Sequence, residues 1–251
     1  MMNALPVLYP QLRAAYKAIT NLILVLINTF KFNMQIAIVD LGIGNLRSVA
    51  QALSTVADEA DILVTSDAKQ IAGADKLVLP GQGAIGSWFA ALEQRGLQDV
   101  IKQSLSEKPM LGICVGMQAM FRHCEEDGGV DGLGLFDGTV RHFRNFHAPL
   151  ATQQDKMKIP QMGWNQVTQT IKHPLWQGIT DQAYFYFVHS YCANLSQGAD
   201  NNVVFGTADY GHEFIAAIGR DNLFAVQFHP EKSHRDGLQL FRNFVNWNGV
   251  D

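Results

Sequence analysis

The sequence predicts an α/β fold, a doubly wound and mostly parallel sheet carrying an antiparallel β extension. Three observations lead there. From Met34 to Leu111, apolar runs of strand length alternate with segments of helical spacing. Glycine-rich loops follow two of those runs, at positions 41–45 and 80–86, and a third loop, at 112–116, follows the run that ends at Leu111. Beyond Gly129 the segments turn short and β-rich, with helical spacing returning only at the end. Strand–helix alternation implies parallel strands covered on both faces, with ligands bound beyond their carboxyl ends.

Residues 1–33 stand apart. Ile19–Phe30 is apolar but includes Asn21 and Asn28, and it falls short of the roughly 20 residues of a membrane span. Phe30-Lys31-Phe32-Asn33 offers no small-residue cleavage site, although Arg13 and Lys17 precede the apolar run as in a signal peptide. Met34 reads as a fresh start, so 1–33 is expected to be a non-essential extension, translated from an upstream start codon, and 34–251 the domain.

Within that domain Gln35–Asp40 is a buried strand and Leu41–Asn45 a glycine loop leading into a helix over Leu46–Val56. A strand near Ile62–Val64, a short helix near Ala68–Ala72 and a strand at Lys76–Leu79 come next. Helical spacing runs from Trp88 to Glu107 with a break near Gly96, then a strand at Lys108–Leu111, then helical spacing again over Ala119–Arg122. After the polar turn Glu125–Gly129, β-rich segments fall at Thr139–Phe143, Gln166–Thr170, Ala183–His189, Val203–Thr207, Phe214–Ile218 and Leu223–Phe228. Arg220-Asp221-Asn222 suits a hairpin turn between the last two, and Arg235–Trp247 a closing helix.

At 251 residues, 47% hydrophobic and 17% charged with net charge −4, the chain has the makeup of a globular, mildly acidic domain with no basic stripe for nucleic acid. Cys114, Cys124 and Cys192 are odd in number and lack CxxC spacing, which argues against a disulfide framework or zinc site and for a reducing cytoplasm. No metal and no cofactor is expected. Gly42-Ile43-Gly44 is not a dinucleotide fingerprint, because Arg47 occupies the third glycine position, and no phosphate-cradling GxxxxGK[ST] occurs.

Chemistry concentrates at Gly112-Ile113-Cys114-Val115-Gly116-Met117-Gln118. Cys114 sits at a strand-to-helix turn between two glycines, a G-x-S-x-G elbow with sulfur for oxygen, expected to hold the nucleophile strained and exposed. A helix beginning just beyond it favours thiolate. Taken alone, the pattern also fits a buried structural cysteine among packing glycines. Pro80–Gly86 carries three glycines in a loop beside the elbow, so its backbone N–H groups can join that of Val115 in an oxyanion hole. The strand Phe224–Phe228 runs into His229-Pro230-Glu231, which delivers a base and its orienting carboxylate from one loop.

Gly112–Gln118 and Phe228-His229-Pro230-Glu231 resemble the signatures of class I, triad-type glutamine amidotransferases. The resemblance implies a flavodoxin-like sheet, a catalytic set of Cys114, His229 and Glu231, glutamine contacts from Gln118, Ser190 and Tyr191, and an oxyanion loop at Gly81, Gln82 and Gly83. Four stretches, Asp40–Val49, Pro160–Asn165, Tyr186–Tyr191 and Phe228–Ser233, are similar to the glutaminase-subunit family of imidazole glycerol phosphate synthase in histidine biosynthesis. That similarity spans 34–251. It implies hydrolysis of L-glutamine and transfer of ammonia to a (β/α)8 cyclase subunit in a heterodimer, with Trp164, Tyr186 and Lys232 facing the cyclase. For Trp164 and Tyr186 core packing is the alternative. Arg235–Asp251 barely closes the fold, so the acceptor chemistry is expected on another polypeptide. Gln82 departs from the family, which often carries a small apolar residue there. The competing functional readings are an amidotransferase serving another synthase and a catalytically silent binding domain on the same fold.

Overall fold

A computed structural model describes residues 16, 17, 19, 20, 33–145 and 157–250. The chain divides into two units, Met1–Asn33 and Met34–Asp251. Most of the apolar run predicted to be an extension lies outside the described residues. What is described there is helical at Tyr16, Lys17, Ile19 and Thr20, where Thr20 Oγ1 donates to the Tyr16 carbonyl at 2.8 Å. Among the described residues no helix is long and apolar enough to cross a membrane.

The second unit opens with the predicted alternation: β1 (Met34–Val39), α1 (Leu46–Val56), β2 (Ala60–Thr65), α2 (Ala68–Gly73) and β3 (Lys76–Gly81). The helix predicted from Trp88 begins earlier, as α3 (Ile85–Gln94), and breaks at Gly96 (φ +62) before α4 (Gln98–Glu107). Next come β4 (Met110–Cys114) and the four-residue α5 (Val115–Gln118). Asn45 caps α1 by accepting from Ser48 N–H, and Asp67 caps α2 by accepting from Lys69 and Gln70 N–H.

Helical spacing over Ala119–Arg122 misleads. Phe121–Cys124 is a strand, β5, because the carbonyls a longer helix would need are taken by the segment 132–136. Leu133 N–H donates to Ala119 O at 2.8 Å, Leu135 N–H to Met120 O at 2.9 Å and Gly134 N–H to Phe121 O at 3.1 Å. The same pairing keeps Phe121 fully buried against Phe136.

The second half follows as β6 (Val130–Asp131), β7 (Phe136–His142), β8 (Gln161–Gln169), β9 (Ala183–His189), β10 (Tyr191–Leu195), β11 (Val204–Asp209), β12 (Glu213–Arg220), β13 (Leu223–Val226) and α6 (His234–Asn246). The strand predicted at 166–170 therefore starts earlier, at Gln161. Periodicity gave no sign of β10, which turns back after His189. The sheet order is β2-β1-β3-β4-β13-β12-β10-β7-β5-β6, with β11 on β12, β8 on β11 and β9 on β8.

Strands β2, β1, β3, β4 and β13 pair in parallel, the doubly wound core. The outer strands are mainly antiparallel, as predicted, with β5 parallel to β7 an exception. Assigning Leu223–Phe228 to the extension is corrected. β13 completes the parallel core beside β4 while also forming the hairpin with β12 across Asp221 (φ +52). That position sets its carboxyl end next to that of β4. Lys76, buried at the start of β3, donates its Nζ to the carbonyls of Phe244 (3.0 Å), Val245 (2.8 Å) and Trp247, which fastens the last turn of α6 under the sheet.

Candidate active site

Cys114 closes β4 opposite Gly81 of β3 and starts α5. Its φ of +55 and ψ of −110 make it the strained residue of the elbow, whereas neither flanking glycine has positive φ. The glycines serve close packing instead. A Cβ on Gly116 would sit 1.9 Å from the Leu79 carbonyl oxygen, and one on Gly112 3.0 Å from the Ala225 Cβ. The expectation of an exposed nucleophile is corrected, since Cys114 is 5% exposed, beneath a cavity rather than on the surface.

His229 follows β13, whose Val226 pairs with Ile113 one residue before the cysteine. Its Nδ1 lies 2.7 Å from Glu231 Oε1, and both side chains are almost fully buried. Its Nε2 is buried on the side of the ring away from Glu231. Burial opposes charge on His229, but the Cys114 sulfur and the Glu231 carboxylate outweigh it and raise its pKa to about 10. This electrostatic balance favours a protonated His229 imidazole through neutral pH.

The cavity over Cys114 measures about 310 Å³. Gln82, Gly83, Val115, Gln118, Ser190 and Tyr191, all predicted for oxyanion or substrate contacts, line it with Cys114 and His229. Gly81 lies behind, pressed on α5 so closely that a Cβ would meet Val115 Cβ at 2.5 Å. Trp88 Nε1 donates to Pro80 O at 3.2 Å and anchors the near end of this loop. Gly83 takes φ +88. Gln82 is exposed at the edge of the cavity, and its side chain lies beside Gly44. Gln118 spends both amide hydrogens at home, on Tyr191 O and Gln227 Oε1 at 3.0 Å each, which leaves its carbonyl oxygen for a donor.

Trp164, Tyr186 and Lys232 stand outside the cavity, together on one face. Lys232 Nζ lies 5.5 Å from the Tyr186 ring centroid, and Trp164 is 6.1 Å from Tyr186. Trp164 is 44% exposed among exposed Met162 and Tyr184, which excludes core packing for it. The patch also touches the site through the backbone, since His229 N–H donates to Tyr186 O at 2.9 Å.

Three lining or neighbouring residues escaped prediction. Gln227 is fully buried and its Nε2 lies 3.7 Å from Cys114 Sγ; a glutamine in an otherwise apolar strand was its available signal. His189 lines the cavity as a neutral ring, its pKa lowered to about 4 by burial even though Nδ1–H donates to Tyr191 O at 2.7 Å. Glu126, in the turn read as merely polar, is the one carboxylate among the described lining residues. Among the described residues no group of three or more His, Cys, Asp or Glu could hold a metal.

Residues 37–247 match the family described as Glutamine amidotransferase class-I. The chain is 50% identical over 214 residues to the imidazole glycerol phosphate synthase subunit HisH of Pseudomonas putida, covering 85% of this chain and 98% of that one. It is 49% identical over 212 residues to the protein of the same name from Dechloromonas aromatica, covering 84% and 96%. Among solved structures, a putative GMP synthase protein of Thermoplasma acidophilum superposes with a TM-score of 0.60 at 21% identity, covering 85% of this chain and 92% of that one. The glutaminase domain of Trypanosoma brucei CTPS superposes with a TM-score of 0.51 at 15% identity, covering 86% and 96%. Both structures share the fold.

Proposed function

The chain belongs to the class I glutamine amidotransferases, among the HisH subunits of imidazole glycerol phosphate synthase, and from that premise we propose how its residues act. It hydrolyses L-glutamine to glutamate and ammonia. Cys114 thiolate attacks the side-chain amide carbon, and the oxyanion is met by N–H groups of Val115 and the Gly81–Gly83 loop. The His229 imidazolium gives its proton to the departing ammonia, leaving a thioester on Cys114. Neutral His229 then draws a proton from water as it attacks the thioester, and glutamate leaves. Glu231 holds His229 in the required orientation. Gln118, Ser190 and Tyr191 position the substrate, and the Glu126 carboxylate suits its α-ammonium.

Ammonia passes to a (β/α)8 cyclase subunit, which uses it to form imidazole glycerol phosphate and aminoimidazole carboxamide ribotide. The face formed by exposed Trp164 with half-buried Tyr186 and Lys232 is the docking surface, and its backbone link to His229 supports a coupling between docking and catalysis. A cytoplasmic heterodimer follows from this reading.

The observation that carries the mechanism is the buried 2.7 Å His229–Glu231 contact beside a cysteine held at positive φ. Cys114→Ala, assayed for glutamate release with the cyclase and its nucleotide substrate present, should abolish turnover. Undiminished activity would sink the mechanism.

A further inference from the structure

Helix α3 begins directly after the oxyanion loop, yet its N-cap is Ala84 and no side chain caps it from within. Its first two amides are satisfied from elsewhere. Ile85 N–H donates to Glu126 Oε2 at 2.9 Å and Gly86 N–H to Asp127 Oδ2 at 3.1 Å. Carboxylates on the amides of a helix's first turn combine a charge-assisted hydrogen bond with a favourable dipole contact. The turn Glu126–Gly128 is bent for this purpose, since Asp127 adopts φ +57 and ψ +26. A Cβ at Gly86 would stand 2.7 Å from Asp127 Oδ2, so a larger residue there would push the carboxylate off the amide.

The loop 81–84 is thus strung between two anchors. Trp88 Nε1 on Pro80 O fixes one end, and the acidic turn fixes the other. Glu126 also lines the cavity above Cys114.

We propose that the Glu126–Asp127 turn positions the oxyanion loop, and that Glu126 links this task to substrate recognition. One carboxylate oxygen holds Ile85 N–H while the other meets the α-ammonium of glutamine, so seating the substrate tightens the anchor of the loop that stabilises the transition state. Asp127 is a positioning residue that never touches substrate. The proposal rests on the glutaminase reading above.

Steady-state glutamate release by the complex with its cyclase tests it. Asp127→Ala should lower kcat about tenfold with KM for glutamine unchanged, the scale of a lost helix cap. Asp127→Asn retains an acceptor for Gly86 N–H and should stay within about twofold of wild type. Gly86→Ala forces the contact apart from the other side and should reproduce the kcat loss, which covers the case in which Asp127→Ala fails to fold. In the second arm, 4-carbamoylbutyrate, a glutamine lacking the α-amine, replaces the substrate. Wild type should lose kcat on it, and Glu126→Ala should turn over both compounds at the same kcat. Wild-type kcat in both Asp127→Ala and Gly86→Ala, or a kcat difference between the two substrates surviving in Glu126→Ala, would overturn the proposal. Activity surviving in Cys114→Ala would instead overturn the glutaminase reading.

Discussion

Cys114 carries a side chain in a region of backbone space that costs about 1–3 kcal/mol, and the surrounding close packing holds it there. His229 is the second unusual residue, a buried imidazole whose pKa is raised because its interactions with the Cys114 sulfur and the Glu231 carboxylate outweigh desolvation. The sign of the consequence is fixed. A histidine raised above its unfolded value of about 6.5 stabilises the fold fully below that pH, and the contribution fades as pH climbs from there through about 10. Glu231→Gln removes one of the groups that raises it. The alkaline limb of kcat should therefore move to lower pH, and kcat itself should fall on the order of 10²-fold as the base loses its orientation. A pH–rate profile of the variant that kept the wild-type alkaline limb would contradict the role of Glu231. The proposed catalytic residues were legible in the sequence because each sits in a short local pattern. Glu126 was not, because an acidic turn looks solvated until the fold brings it against the amides of α3.

The elbow between β4 and α5 shows which glycine the motif needs, and for what. Gly116 is required by approach rather than by φ, since a methyl group there would penetrate the Leu79 carbonyl on β3. Gly116→Ala should destabilise the protein by about 1–3 kcal/mol, visible as a lower urea midpoint, and should disturb glutamine hydrolysis by shifting α5 away from β3. Gly83→Ala is the contrasting substitution. No atom lies within 4 Å of its added methyl, so only the φ +88 strain is expressed, and the urea midpoint should move less. Equal losses in the two variants would refute the distinction. The parallel half of the sheet was readable from apolar runs bounded by glycine loops. Strands β5 and β10 were not, because each is fixed by its pairing partners, β5 by β6 and β7 and β10 by β7 and β12, rather than by its own periodicity. Such pairing also moved β13 into the core, where the sequence pattern alone made it part of the extension.

For the whole molecule, sequence and structure divide the chain at one place. Similarity to the HisH subunits extends over 85% of this chain while covering 98% of the Pseudomonas putida protein, the family match begins at residue 37, and the second compact unit begins at Met34. Within that unit the proposed catalytic residues, the cavity and the candidate docking face are all present, so the 1–33 segment is proposed to be dispensable. A chain starting at Met34 should unfold at the same urea midpoint as the full-length protein, bind the cyclase with unchanged affinity and hydrolyse glutamine in the complex at the same kcat. The comparison separates two roles the segment could have. A lower midpoint with normal kcat would make it a stabilising element, whereas weaker cyclase binding at a normal midpoint would make it part of the docking surface. Either result would refute dispensability. Unchanged values in all three measurements would confine folding, docking and chemistry to Met34–Asp251, where every residue assigned to the mechanism lies.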